Sequence, residues 1–292
     1  MEGTGCYGAA LARFLAAGGQ VVVEVNRPDR QARRRHGRSD PLDAQAAAKA
    51  VQAGDSTVIP KAGTGQVAMI RSLRVARQTA MRARTQAINA LRALLVTAPA
   101  ELREQLRGRS ATRLVRAAAE LEPGQITSPQ AAAMLALGTL ARRYQALSAE
   151  ITALTSELER LTRTAAPKLV ALFGVGADSA GALLVAAGDN PGRLRSDACF
   201  AMLCGASPIQ ASSGKTTRHR LNRGGDRQAN AALYRIMLVR LCYHQQTKDD
   251  MARRLTEGKT NKEVIRCLKR YLAQEMFAVL HQTSQDTLTT AP

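Results

Sequence analysis

Leu137, Leu140, Tyr144, Leu147, Ile151, Leu154, Leu158 and Leu161 recur at spacings of 3, 4, 3, 4, 3, 4 and 3. A repeat of about 3.5 residues places all eight on one face of an α-helix. A strand, with its alternation of two, would scatter them over both faces. Residues 131–164 are therefore expected as one long helix, and its apolar stripe demands a partner of similar length. Two arrangements supply one: a coiled coil or helical hairpin that joins copies into a homodimer or tetramer, or a long core helix within one domain. The regularity of the stripe favours the first.

Composition agrees with a helical chain. Ala, Leu, Arg and Gln dominate, and all are good helix formers. Aromatic residues make up 3% and Trp is absent, which argues against an all-β sandwich and against binders that stack bases on aromatic platforms. The formal net charge of +19 over 292 residues makes a nucleic acid the default partner and a small-molecule metabolic enzyme a poor fit. No run of 18 apolar residues occurs, so no membrane span is expected. The opening residues Met1 to Gly5 lack the basic and apolar regions of a signal peptide. A cytoplasmic, nucleoid-associated protein with reduced cysteines (Cys6, Cys199, Cys204, Cys242 and Cys267) is expected, without a zinc site.

Along the chain, residues 7–17 read as a short amphipathic helix stopped by Gly18-Gly19, and residues 20–25 as a buried β-branched strand. A very basic loop follows, with Arg30, Arg33, Arg34, Arg35 and Arg38. Ser39-Asp40-Pro41 opens an Ala-rich helix to about Val51. Residues 66–97 form a long helical pattern, and from 61 to 100 there are seven Lys or Arg and no acid. Arg71, Arg74, Arg77 and Arg82 belong to this single-sign face, whose self-repulsion a polyanion would relieve. Residues 98–130 are punctuated by proline and read as a connector or short helical insert. After Pro167 come helices near 177–187, 196–204, 230–244 and 262–280, with a polar, basic loop over 205–225. The fold class expected is mostly α with a partial α/β part.

Four patterns carry chemistry. Gly174-Val175-Gly176 before a helix looks like the turn of a helix-hairpin-helix element, where a phosphate could meet free N–H groups. The alternative is an ordinary tight turn. Ser212-Ser213-Gly214-Lys215-Thr216-Thr217 is not a nucleotide-binding P-loop, because that pattern needs glycine where Ile209 stands. It remains a loop with adjacent hydroxyls and the cations Lys215, Arg218, Arg220, Arg223 and Arg227. This suits a serine nucleophile on a phosphodiester, or a loop that only positions phosphate. Asp40 and Asp43, three apart at a helix start, share one face, and with Glu2 they could hold one or two Mg²⁺ ions for phosphoryl transfer. Taken singly, they are a cap and solvated acids.

These residues resemble a known family. Glu2-Gly3-Thr4-Gly5-Cys6-Tyr7-Gly8, Val25-Asn26-Arg27 and Arg38-Ser39-Asp40-Pro41-Leu42-Asp43-Ala44 look like the N-terminal domain of the DEDD insertion-sequence transposases. This is the one-ten family, whose relatives include the pilin-gene invertase. Gly174-Val175-Gly176, Gly188-Asp189, Phe200, Cys204-Gly205-Ala206-Ser207-Pro208, Ser212-Ser213-Gly214 and Asn222-Arg223-Gly224-Gly225-Asp226 look like its C-terminal domain. The resemblance implies a RuvC-type, RNase H-like domain with metal-binding acids in the order Asp, Glu, Asp, Asp. Glu2, Asp40 and Asp43 match the last three. It implies a serine that joins covalently to DNA, best matched by Ser213 with Ser212 as fallback. It also implies DNA strand cleavage and rejoining, a structured guide RNA, and dimers or tetramers that combine one protomer's acids with another's serine.

On this basis residues 1–98 are expected as a truncated RuvC-like domain with its basic helix, 99–166 as a helical, coiled-coil connector, and 167–292 as a C-terminal transposase domain. The family's first Asp has no counterpart, because the chain begins one residue before Glu2. About forty to sixty residues of strands and turns would precede it. A start codon placed too late or a gene remnant would each account for this, and the chain as written is expected to be inactive in strand exchange. A non-catalytic, dimeric DNA- or RNA-binding remnant is the alternative, and a basic chromatin- or ribosome-associated protein a weaker third.

Overall fold

The computed structural model describes residues 1–25, 39–190, 193–215 and 218–289. It is mostly helical. Arg30, Arg33, Arg34, Arg35 and Arg38 of the basic loop lie outside the described residues. The chain divides in space into two compact units, one formed by residues 1–68 and 165–292, the other by 69–164. This partition differs from the three consecutive segments read from sequence, since the chain leaves the first unit and returns to it.

The first unit begins with a scrap of strand–helix–strand. The Met1 amino group donates to the Val23 carbonyl at 2.7 Å and Val25 N–H to the Met1 carbonyl at 2.9 Å, a parallel pairing. Helix α1 (Ala9–Ala17) makes the crossover. The buried strand expected over residues 20–25 is not a ladder. Its other pairing is a single antiparallel bridge, Glu24 to Val58, and Val21 is exposed. β-branched residues favour a strand only where neighbouring strands pair with it, and here the described partners are one residue on each side. Helix α2 (Asp40–Gln52) starts after Ser39, carries Pro41 in its first turn and has no buried residue.

The second unit holds most of α3 (Gln66–Thr97) and α6 (Pro129–Ala165). Ser128 Oγ accepts from Ala131 N–H and Pro129 opens α6, so the long helix starts where capping chemistry places it. Leu91 of α3 shares a core with Leu137 and Ala141 of α6, Arg84 lies over the Tyr144 ring, and Arg77 reaches Thr155. Rising positions on α3 meet falling ones on α6, so the helices run antiparallel. Leu137, Leu140 and Tyr144 of the heptad-like stripe thus pack against α3 of the same chain, while Leu147 and Leu154 stay half-buried. Residues 98–130 are not a bare connector: α4 (Ala100–Leu106) and α5 (Ala111–Ala119) close the end of the pair with Leu102, Leu106, Leu114 and Val115.

The rest of the first unit packs α7 (Pro167–Val170), α8 (Ala177–Ala187), α9 (Asp197–Leu203), α10 (Arg227–Tyr243), α11 (Gln245–Thr256) and α12 (Asn261–Thr289). Helix α11 falls in the stretch between residues 244 and 262, where the sequence pattern points to no element. Alanine and glycine fill α8, so α10 approaches it closely through Ala229, Ala232 and Leu233. Phe200 of α9, with Leu272 and Met276 of α12, completes the core. Thr260 and Glu263 cap α12 reciprocally, at 2.9 Å from Thr260 N–H to the carboxylate and 3.4 Å from Glu263 N–H to the hydroxyl. A bidentate pair, Arg240 to Glu275 at 2.6 and 2.8 Å, ties α10 to α12. The loop read over 205–225 contains a two-residue hairpin, β1 (Ile209–Gln210) against β2 (His219–Arg220).

Candidate functional site

The hairpin carries the serine pair. Ile209 pairs with Arg220 and Gln210 with His219, and Ala211 N–H donates to the Arg218 carbonyl at 2.8 Å. Ser212, Ser213, Gly214 and Lys215 are exposed in the connecting loop, where Gly214 turns with φ +56° and open space around it. A hydroxyl in this position is open to a large ligand.

Two distant sequence motifs meet at the hairpin's base. Asp226 N–H donates to the Leu203 carbonyl at 2.6 Å, and the Asn230 amide donates to the Cys204 and Gly205 carbonyls at 2.8 and 3.1 Å. Asp226 also caps α10 through Gln228 and Ala229 N–H. The Cys-Gly-Ala-Ser-Pro and Asn-Arg-Gly-Gly-Asp segments thus form one rigid footing on either side of the hairpin. Beneath it the Cys204 thiol is pushed up to about 12, first by burial and then by the Asp226 charge. It is a packed, unreactive thiol rather than a nucleophile.

Of the predicted cations, Lys215, Arg218, Arg220, Arg223 and Arg227 are all exposed around this footing. Arg218 and Arg220 line a cavity of about 610 Å³. Its other wall comes from α11, α12 and the turn between them, with Arg254, Lys259, Arg266, Lys269, Arg270 and Tyr271. None of these six was singled out from sequence. The signal was there in the helical spacing of Lys262, Arg266, Lys269 and Arg270.

The predicted phosphate turn has a structural use as well. Gly174 has φ +79°, a conformation that favours glycine, and packs in contact range of Arg240, Ile236 and Val239 of α10. Arg240 Nε donates to the Phe173 carbonyl at 2.9 Å. Gly176 has ordinary backbone angles and open space. The start of α8 already carries Asp178, paired with Arg235 at 3.0 Å, and that carboxylate weakens the attraction of the helix end for a phosphate. On α3, Arg71 and Arg82 are exposed, whereas Arg74 and Arg77 are half-buried. Arg77 Nε donates to Thr155 at 2.7 Å, within the helix pair.

The carboxylates stand apart. Glu2 is half-buried, and its Oε1 is buried with no hydrogen-bond partner, the condition of an oxygen that a cation would satisfy. Asp40 is exposed at the start of α2, and Asp43 is half-buried one turn on. Among the described residues, no three His, Cys, Asp or Glu side chains form a group that could hold a metal ion. Glu2, Asp40 and Asp43 are therefore not gathered into one centre, and as placed they do not fit the metal set.

Two family models match the chain. Residues 1–98 match the transposase model of the DEDD type from IS110 elements, and residues 166–252 match the transposase model of the IS116/IS110/IS902 family. The chain belongs to the IS110-type DEDD transposases. It is by family a DNA transposase, an enzyme class that acts on DNA, and the DEDD family generally uses divalent metal ions. No curated protein matches the chain. No helix among the described residues is long and apolar enough to cross a membrane.

Proposed function

We propose that the chain carries the machinery of a recombinase that cleaves and rejoins DNA strands of an insertion sequence with Ser213 as nucleophile, and that with Glu2, Asp40 and Asp43 apart as placed it does not complete strand exchange. One observation supports this above others: Ser213 is exposed in a hairpin loop whose footing is fixed by hydrogen bonds and whose flanks carry Lys215, Arg218, Arg220 and Arg223. Attack of Ser213 Oγ on a backbone phosphorus forms one P–O bond as another breaks. The severed strand leaves as a hydroxyl and takes the proton, and the reverse step onto a different strand rejoins DNA. The flanking cations take up charge that develops on the phosphoryl oxygens.

Further parts of the reading follow from the family pattern. Glu2, Asp40 and Asp43 are the candidates to hold Mg²⁺, which when bound supplies Lewis-acid stabilisation of the same charge. Because they are not grouped as placed, no step is assigned to it. A RuvC-like fold of the N-terminal segment fits the parallel pairing around α1. A structured guide RNA and a homodimer or tetramer, with one protomer's acids serving another's serine, complete the proposal. The second reading is a DNA- or RNA-binding remnant that does not cut, and the separated carboxylates favour it.

The test is a covalent adduct. Labelled donor DNA incubated with the chain and Mg²⁺ is run on a denaturing gel. A protein–DNA band that survives Ser212→Ala and disappears in Ser213→Ala supports the serine reading. Binding without any adduct leaves the non-cutting remnant.

A further inference from the structure

The cavity between the hairpin base and helices α11 and α12 has a feature that an ordinary surface groove lacks. Lys269 lines it and is itself buried, only 7% exposed. Its ammonium donates to Asn230 Oδ1 at 2.8 Å and lies 6.0 Å from the Tyr234 ring. Among the described residues it has no carboxylate partner. The cavity's one acid, Glu263, is engaged with Thr260 and Arg266. A buried cation without a counter-charge is a costly feature to retain, and burial duly pulls the Lys269 ammonium below its usual pKa.

Arg270 of the same lining has a donor without a partner. Arg270 Nη2 holds Asp197 at 2.7 Å, but its Nη1 is buried with no partner. Arg218 and Arg220 add exposed cations from the hairpin side. All four residues line the cavity, which therefore gathers these four cations against the single acid Glu263, a balance that an anion would redress. The volume, about 610 Å³, exceeds what a lone phosphate needs and falls in the range of pockets that enclose a nucleotide-sized ligand. The lining also has one half-open aromatic ring. Tyr271 is 56% exposed and is backed by the Arg254 guanidinium at 5.2 Å from its centroid, a surface on which a base can stack.

We propose that this cavity seats one nucleotide of a nucleic-acid strand, its phosphate against Lys269 and Arg270 and its base against Tyr271. Most of the α11–α12 wall, from Arg254 onward, lies beyond both matched family segments. The site would hold the strand beside the serine hairpin before any bond is broken. The assignment rests on reading the chain as a DNA enzyme, but its test needs binding alone.

The full chain carrying Ser213→Ala is titrated with a fluorescein-labelled single-stranded DNA oligonucleotide over a salt series. Lys269→Met is expected to weaken binding about tenfold and to flatten the slope of log K against log salt by about 0.7, the share of one phosphate. Thermal stability should hold or rise, since an unpaired buried charge has been removed. Tyr271→Leu, at an exposed position, should weaken binding about tenfold with little change in slope, and Tyr271→Phe should match the parent. Arg107→Ala, a cation of the second unit, is the control for bulk charge. Undiminished affinity and slope in Lys269→Met overturn the proposal, as does an equal loss in Arg107→Ala. Inorganic phosphate or a free deoxynucleoside monophosphate that competes at the strand's own concentration would overturn the strand as occupant. A failed adduct assay with these binding effects intact would refute the serine chemistry and leave this site standing.

Discussion

A β-carbon on Gly225 would stand 2.5 Å from the Leu203 carbonyl oxygen and 2.7 Å from the Gly205 nitrogen, at a backbone φ of +83°. A β-carbon on Gly205 would be as crowded, 2.7 Å from the Gly224 carbonyl oxygen. Two glycines therefore face each other where the serine hairpin is rooted, and backbone cannot yield as a side-chain tip can. Gly225→Ala should destabilise the first unit by about 3 kcal/mol, from the left-handed φ and the backbone overlap together. Urea unfolding would measure it, and a loss below 1 kcal/mol would show that the footing can shift. The neighbouring thiol gives a second prediction. Cys204 is raised by burial from an ordinary value of 9.0 to about 12. Between these values the folded state keeps a proton that the unfolded state releases, so this contribution to stability is intact below pH 9 and is lost as pH rises towards 12. Urea midpoints at pH 8 and pH 10.5 should fall less in Cys204→Ala than in the parent. In the native protein, a thiol reagent should label the exposed Cys6, Cys199 and Cys242 and leave Cys204 until unfolding.

At the scale of elements, the segment after α8 shows how a punctuation signal can conceal a contact. Gly188-Asp189-Asn190 reads as the end of a helix, and it is one. It also clamps the strap at residues 59–65. The Asp189 carboxylate accepts from Gly63 and Gly65 N–H at 3.2 and 3.1 Å. Asn190 accepts from Ala62 N–H and donates to the Pro60 carbonyl, both at 2.6 Å. Lys61 Nζ reaches the Val185 carbonyl. These bonds join the segment matched by one family model to the segment matched by the other. Asp189→Ala should cost about 2 kcal/mol, from two charge-assisted bonds lost. It should also speed tryptic cleavage after Lys61 on the order of tenfold, because the strap opens more often. An unchanged cleavage rate would mean that Asn190 and Lys61 hold the strap without it. Most of the helices were legible in the sequence, α11 excepted, since caps and 3.6-residue periodicity are local. The long α3 and α6 patterns and the last helix, α12, appear where the residues place them, whereas the Thr260–Glu263 cap of α12 is seen only in the structure. What was not legible was pairing: that Arg77 and Arg84 of the acid-free face work inside the helix pair, that residues 20–25 gain only isolated bridges, and that α11 and α12 supply half a cavity. Each depends on a partner more than forty residues away or on the other side of a turn. No local pattern encodes that partner.

The whole molecule is two separately cored units with an excess of positive charge, and this sets how it should unfold. The second unit's core is the α3–α6 seam closed by α4 and α5, around Leu91, Leu102, Leu114 and Leu137. The first unit's core is α8 to α12, around Leu183, Phe200, Leu233, Ile236 and Met276. Chains with two cores need not unfold in one step. Leu137→Ala and Leu233→Ala remove fully buried side chains of equal size, one from each core. Each should cost about 3 kcal/mol. If the units unfold independently, far-ultraviolet circular dichroism in urea should resolve two transitions, and each variant should lower the midpoint of only one. Hydrogen exchange read by mass spectrometry identifies which: Leu137→Ala should release protection in α3 and α6 and leave α8 and α10 as in the parent, and Leu233→Ala the reverse. A single transition that both variants shift equally would mean that the two units cooperate as one body. The serine hairpin would then be sensitive to mutations along the helix pair as well as to those in its own footing.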